Sequence, residues 1–145
     1  MKRFSFPLER VRLWRAGQVA IEELKLEHFS EALSKLQQEK QGIQSERASS
    51  HRQVLGQSSM QASELESLDV YRLHTRNRIR EIENRERQAV QQADAQRQRV
   101  IEARRAAELL DRLRRKAMEE WRIASDREQE TLATELYLAK RLRRS

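Results

Sequence analysis

Cysteine is absent from the 145-residue chain, and turn-forming residues are scarce, with one proline and three glycines. Without cysteine the chain can form neither a disulfide nor a thiolate metal site. Because glycine and proline supply most tight turns, the chain has few positions at which it can reverse direction. The scarcity therefore favours a small number of long helices over a compact domain with many turns.

Long apolar runs are also missing. No run approaches the roughly 18 residues that a membrane-spanning helix requires. The opening segment, MKRFSFPLERVRLWRAG, is basic but has neither the apolar core nor the small-residue cleavage site of a signal peptide. We therefore expect a cytoplasmic protein.

Charged residues, by contrast, are abundant. They make up 37% of the sequence, against about 25% in ordinary globular domains. The net charge of +7 is compatible with nucleic acid, acidic lipid or an acidic protein surface as the partner. Such a polar chain can also be disordered, but disorder predicts no sustained periodicity.

A sustained periodicity runs through the second half. From Leu65 to Leu142, residues taken at alternating intervals of three and four are mostly apolar or small, and no glycine or proline follows Gly56. This spacing is typical of a left-handed coiled coil. It argues against disorder and predicts one long helix.

The first half carries two shorter apolar stripes. Val11, Trp14 and Ile21 form one, and the residues from Leu26 to Val54 form another at 3-4 spacing. The two stripes are offset by one residue near Leu24. The offset predicts a local change in supercoil at that point.

The break between the halves is GQSSMQASELE, residues 56–66. Gly56 suits the end of a helix, and Ser63 with Glu66 has the spacing of a capping box that opens the next one. Pro7 suits the first helical position. We predict an all-α fold, a long antiparallel two-helix coiled coil (a helical hairpin) with an overhanging C-terminal helix, in a single domain over residues 1–145: helix one over about 7–55, a turn over about 56–62 and helix two over about 62–142.

Folding the chain at about residue 59 pairs residues whose numbers sum to about 118. Large side chains on the first helix then face alanines on the second, as a close-packed seam requires. The predicted seam residues are Trp14, Phe29, Leu36, Ile79, Ile82, Ala89, Val100, Ala103 and Leu110.

The second helix is longer than the first. In this register Leu8 reaches only to Leu110, which leaves on the order of 50 Å of helix without a partner inside the hairpin. An isolated helix of that length is marginal in water. We therefore expect Trp121, on the overhang, to be buried against another protein or a second copy of the chain.

Catalytic motifs are absent from the sequence. There is no G-x-x-x-x-G-K-[ST] phosphate-binding loop, and His28, His51 and His74 lack the i, i+4 spacing of a helical metal site. The carboxylates alternate with arginines, as in REIENRER, a pattern typical of surface ion pairs. A narrow two-helix seam offers no pocket for a small-molecule substrate. We predict a protein that is not an enzyme and that has no metal or cofactor.

Basic residues cluster in MKRFSFPLERVRLWRAG, RLRRK and KRLRR. These clusters fit a solvated coiled-coil face, contact with an acidic protein or membrane surface, or contact with nucleic acid. Nucleic acid is the least favoured partner, because no helix-turn-helix, zinc finger or stacking platform accompanies the charge.

Both ends of the chain resemble the FliJ family of flagellar type III export proteins. FSFPLERVRLWRAGQVA is similar to that family's opening, a phenylalanine-rich lead followed by a helix of the pattern L-E-x-V-x-x-x-R. The family's C-terminal signature is a leucine and basic stretch, an aromatic after two glutamates, an E-Q pair, an apolar residue and a basic end. It is matched within LLDRLRRKAMEEWRIASDREQETLATELYLAKRLRR by Leu113, Lys116, Glu119, Glu120, Trp121, Glu128, Gln129, Leu132 and the run 140–144. Ala133 and Thr134 stand where the family often has an acidic pair.

The resemblance implies a non-enzymatic stalk, similar to the gamma stalk of rotary ATP synthases. Such a stalk inserts into the hexameric export ATPase, promotes its assembly and activity, and contacts the membrane export gate and the chaperones of export substrates. It works at the cytoplasmic face of the inner membrane, and the stalk of the virulence injectisome is a close relative. The implied ATPase contacts are Trp121, Gln129, Leu132, Leu138 and Arg141, and the implied gate or chaperone contact is Tyr71, which we expect to be exposed near the turn.

Two other functions fit the same residues. In a self-associating structural coiled coil, the overhangs of two copies would pair and bury Trp121. In a basic nucleic-acid-binding coiled coil, the affinity for a duplex would fall steeply with salt.

Overall fold

The computed structural model describes residues 2–145. It contains two helices, α1 (Glu9–Leu55) and α2 (Ala62–Arg144), which pack against each other, and no strand occurs among these residues. The predicted all-α fold of two long helices is confirmed. Charged residues are spread along both helices, so the shared apolar seam is narrow.

The helix ends differ in detail from the prediction. Pro7 lies in a turn two residues before α1, where the Glu9 N–H donates to the Phe6 carbonyl at 3.1 Å. Gly56 follows α1 directly, but no glycine among the described residues has a positive φ, so α1 ends without a left-handed cap. The opening of α2 is capped two residues earlier than predicted, because the Gln61 N–H donates to the Glu64 carboxylate at 3.4 Å.

Contacts divide the chain into two compact units, each built from segments of both helices. One contains Glu22–Val100, and the other contains the chain up to Ile21 together with Ile101–Ser145. Within both units the segments are antiparallel, since early residues of α1 meet late residues of α2.

The predicted 3-4 stripe of α2 lies at the helix contact. Every member of the series from Thr75 to Trp121 is buried or half-buried. The buried side chains are mostly small or medium in size, and they are Thr75, Ile82, Ala89, Ala93, Gln96, Val100 and Leu110. The predicted seam residues Ile79 and Ala103 on α2, and Phe29 and Leu36 on α1, are half-buried.

The packing face of α1 follows one continuous series instead of two offset stripes. The half-buried members of this series are Arg12, Arg15, Val19, Glu22, Leu26, Phe29, Leu33, Leu36, Lys40, Ile43, Ser50 and Val54. Trp14, predicted to lie in the seam, is 56% exposed, and Val11 and Ile21 are exposed as well. The predicted offset near Leu24 is therefore wrong.

The reason is geometric. The long apolar run from Leu26 to Val54 fixes which face of α1 meets α2. In a regular helix the same face includes Arg12, Arg15 and Glu22 nearer the amino terminus. These polar residues therefore meet α2, although more apolar side chains lie one residue away.

The register is close to the predicted one. The residue numbers of the contacting pair Glu22 and Gln96 add up to 118, as predicted. The numbers of the pairs Arg12–Asp111 and Lys40–Glu83 add up to 123 instead. These pairs are therefore shifted from the predicted register by about one to one and a half helical turns.

Candidate partner-binding surfaces

Trp121 packs against the chain's own amino-terminal lead, the segment of residues 2–8 that precedes α1. The Trp121 indole N–H donates to the Lys2 carbonyl at 3.1 Å. The Phe4 ring meets the Trp121 ring edge to face, with the centroids 5.9 Å apart. The Arg114 guanidinium lies over the Phe4 ring, 5.8 Å from its centroid. Trp121 is half-buried as a result.

The prediction that Trp121 has no partner inside the chain is therefore wrong. The predicted overhang takes Leu8, at the start of the first helix, as the end of the paired region. The lead continues beyond the start of α1 and extends the paired region of α2 from Leu110 to Trp121.

Ion pairs hold the start of α1 beside α2. Two nitrogens of the Arg12 guanidinium donate hydrogen bonds to the Glu9 carboxylate, and a third contact is an ion pair with Asp111 at 3.4 Å. Arg114 Nε lies 3.4 Å from Oε2 of the same Glu9 carboxylate, close enough for an ion pair. The hydrogen bonds from Arg12 lower the pKa of the Glu9 carboxyl below its usual value.

The free arm of α2, residues 126–145, is exposed at every position. It contains the predicted contact residues Gln129, Leu132, Leu138 and Arg141, and the two leucines are 52% and 50% exposed. Its length is about 30 Å at 1.5 Å per residue, which is shorter than predicted because the seam continues to Trp121. The large apolar side chains that it leaves in solvent are Leu132, Leu136, Tyr137, Leu138 and Leu142.

Tyr71 lies in the Glu22–Val100 unit and is half-buried, more enclosed than predicted. It lines a cleft of about 510 Å³ between α1 and α2 together with Leu68 and four basic side chains, Arg47, His51, Arg72 and Arg76. The sequence analysis did not identify this basic cleft.

A sequence signal for the cleft does exist. Arg47 and His51 are four residues apart near the end of α1, and Arg72 and Arg76 are four residues apart near the start of α2. An i, i+4 pair lies on one helix face. A hairpin turn between the two pairs can bring the two faces together.

Residues 2–145 contain neither a cluster of metal ligands nor a membrane-spanning segment. No group of three or more His, Cys, Asp or Glu residues within that range could hold a metal ion. Neither helix has a segment that is apolar enough to span a bilayer.

The chain matches no protein-family model, no curated protein and no solved structure. Three surfaces of the chain are candidates for a functional contact: the lead packed on Trp121, the free arm and the basic cleft.

Proposed function

We propose that the protein is a non-enzymatic stalk of the FliJ type in the flagellar type III export apparatus. It binds the hexameric export ATPase, promotes the assembly and activity of that ring, and couples it to the membrane export gate and to substrate chaperones. It acts in the cytoplasm, peripherally at the inner membrane. The resemblance of both ends of the chain to that family supports the proposal, and so does the exposure of one surface.

The observation that carries the proposal is the free arm. Residues 126–145 are helical up to Arg144 and exposed at every position, and their large apolar side chains remain between 50% and 76% exposed. A single helix with exposed leucines gains stability when it enters an apolar channel. The central hole of a hexameric ring provides such a channel.

The proposed contacts with the ATPase ring and with the gate or chaperone would lie on different segments of α2. Leu132 and Leu138 would supply apolar contact with the ring, and Gln129 and Arg141 would supply polar contacts. Trp121 would contribute only its exposed portion, because Phe4 covers part of its ring. Tyr71, in the other unit, would contact the gate or a chaperone.

The test is the hydrolysis rate of the flagellar export ATPase of the same organism, measured with and without this protein. We expect the wild type to raise both the rate and the proportion of assembled hexamer. The double variant Leu132→Ala/Leu138→Ala should lose most of this effect. Both side chains are exposed, so the variant should fold normally, which circular dichroism checks.

A matched control is Leu24→Ala/Leu73→Ala. It removes two leucines that are 66% and 57% exposed but lie outside the arm. It should stimulate the ATPase as well as the wild type does. If the wild type leaves hydrolysis and assembly unchanged, the stalk proposal is wrong.

A second candidate function, self-association, is favoured by the charge distribution of the arm. Its first part contains Asp126, Glu128, Glu130 and Glu135, and its last five residues before Ser145 contain four basic ones. Two arms paired in antiparallel orientation would bring opposite charges together. Sedimentation at increasing concentration separates the two functions, since a stalk should be largely monomeric alone and a structural coiled coil should dimerise.

A further inference from the structure

The cleft beside Tyr71 has a composition that points to a ligand class. Three arginines and one histidine line it, and no carboxylate does. The side chains of Arg47 and Arg76 make no ion pair or hydrogen bond with any described residue, and the only such contact of the Arg72 side chain is with His51 Nδ1, at 3.5 Å. Four other basic side chains of the same unit, Lys25, Lys40, Arg78 and Arg97, are each paired with an acid.

Acidic residues lie on both sides of the cleft along the helices. Farther from the turn, α1 and α2 are joined by ion pairs of Arg78 with Glu39 at 3.3 Å and of Lys40 with Glu83 and Glu86 at 3.5 and 3.6 Å. Toward the turn, the first part of α2 carries Glu64, Glu66 and Asp69. The basic surface is therefore a short island and not a continuous track.

The cleft also has apolar side chains in its walls, beside the basic ones. Leu68 and Tyr71 are both half-buried and present carbon surface beside the arginines. The backbone at Tyr71 is held within α2, where its carbonyl accepts the Thr75 hydroxyl at 2.8 Å. A volume of about 510 Å³ accommodates a few side chains and lies within the usual range of ligand sites.

We infer that this cleft binds a short acidic segment of a partner protein, with carboxylates on Arg47, Arg72 and Arg76 and an apolar side chain on Leu68 and Tyr71. Planar guanidinium groups suit carboxylates because they donate two parallel hydrogen bonds. Nucleic acid fits less well, because it requires basic groups that follow a phosphate backbone over a longer distance.

The role of this segment as the gate or chaperone contact rests on the proposed function, whereas the carboxylate chemistry of the cleft does not. The experiment therefore uses the isolated full-length chain without the ATPase. A failed ATPase stimulation then contradicts the stalk alone, and a failed peptide titration contradicts the cleft alone.

The probe is a fluorescein-labelled octapeptide of alternating glutamate and leucine, titrated with the protein at moderate salt and followed by fluorescence anisotropy. We expect saturable binding. The matched peptide with glutamine in place of glutamate should not bind. Loss of two guanidinium contacts in Arg72→Gln/Arg76→Gln should weaken binding by about tenfold or more.

The control variant is Arg80→Gln/Arg85→Gln, which has the same net charge and removes two exposed arginines of α2 outside the cleft. It should bind the acidic peptide within about twofold of the wild type. An equal loss in this control would show general attraction to a basic protein and would overturn the inference.

Two competing anions complete the design. Inorganic phosphate and a twelve-residue oligothymidine are titrated against the same variants. If either binds more tightly than the acidic peptide and depends on Arg72 and Arg76, the ligand is a phosphate or a nucleic acid and the inference is wrong. Absence of peptide binding at about 1 mM protein, the weak end of specific association, would also refute it.

Discussion

The two tryptophans show how strongly the fate of one side chain depends on its helix register. Trp14 lies one residue away from the packing series of α1 and is 56% exposed, with the Arg15 guanidinium 4.9 Å from its ring centroid. Trp121 lies on the packing series of α2 and is covered by Phe4. Hydrophobicity is the same in both cases. Position on the helix, and not residue type, decides which indole is buried.

Removal of the Phe4 ring should expose Trp121 without unfolding the helices. We expect Phe4→Ala, made in a Trp14→Phe background so that Trp121 is the only tryptophan, to shift the emission to longer wavelength and increase acrylamide quenching. The lost aromatic contact corresponds to about 0.5–1.5 kcal/mol of stability. Ser5→Ala in the same background is the control and should leave the spectrum unchanged. Identical emission in both variants would show that the lead does not cover Trp121 in solution.

The two helices contribute unequally to their shared seam. Small and medium side chains of α2 are fully buried, whereas no residue of α1 is. The buried series includes one long polar side chain, Gln96, which is 2% exposed. Its amide donates to the Glu22 carbonyl at 3.0 Å and to the Glu22 carboxylate, and this hydrogen bond lowers the pKa of Glu22. A buried polar contact of this kind fixes the register of a coiled coil, because a slipped pairing would leave the amide unsatisfied.

Gln96→Ala should destabilise the protein by about 1–3 kcal/mol, because it leaves a cavity and removes the hydrogen bonds to Glu22. Urea unfolding followed by circular dichroism measures the change. Gln98→Ala, an exposed glutamine two residues away, is the matched control and should have almost no effect. Equal stability of the two variants would mean that the Gln96–Glu22 contact does not hold the helices in register.

The chain as a whole is asymmetric, with 47 residues in α1 and 83 in α2. The lead compensates for part of this difference by reaching Trp121. The remainder is the free arm, which is exposed at every position, so little packing stabilises its helix.

The free arm should therefore be dispensable for the stability of the helix pair. Truncation after Ser125 should reduce the total helical signal while the melting temperature changes by less than about 4 °C. Truncation after Leu113 should lower the melting temperature further, since it also removes Ala117 and Trp121 from the seam. If both truncations lower it equally, the arm packs against the chain in solution.

The overhang of α2 was predictable from local pattern, but the environment of the candidate surfaces was not. Leu132 and Leu138, which the family resemblance implied as contacts, are exposed. The cover on Trp121 was missed because the lead has no periodicity from which its path could be read. The basic cleft was missed because its arginines come from two helices, and only the pairing of those helices brings them together.

The sequence by itself determined the two helices, their break near Gly56 and the buried stripe of α2, because a 3-4 repeat of apolar residues without glycine or proline admits only one regular backbone. Only the tertiary structure decided which face of α1 meets α2, what covers Trp121 and where unpaired arginines gather. Those outcomes depend on contacts between residues far apart in the chain, such as Phe4 with Trp121, and no local pattern encodes them. The physical reason is that a rigid helix must present one continuous face to its partner, so the long Leu26–Val54 run overrides the apolar preference of Trp14.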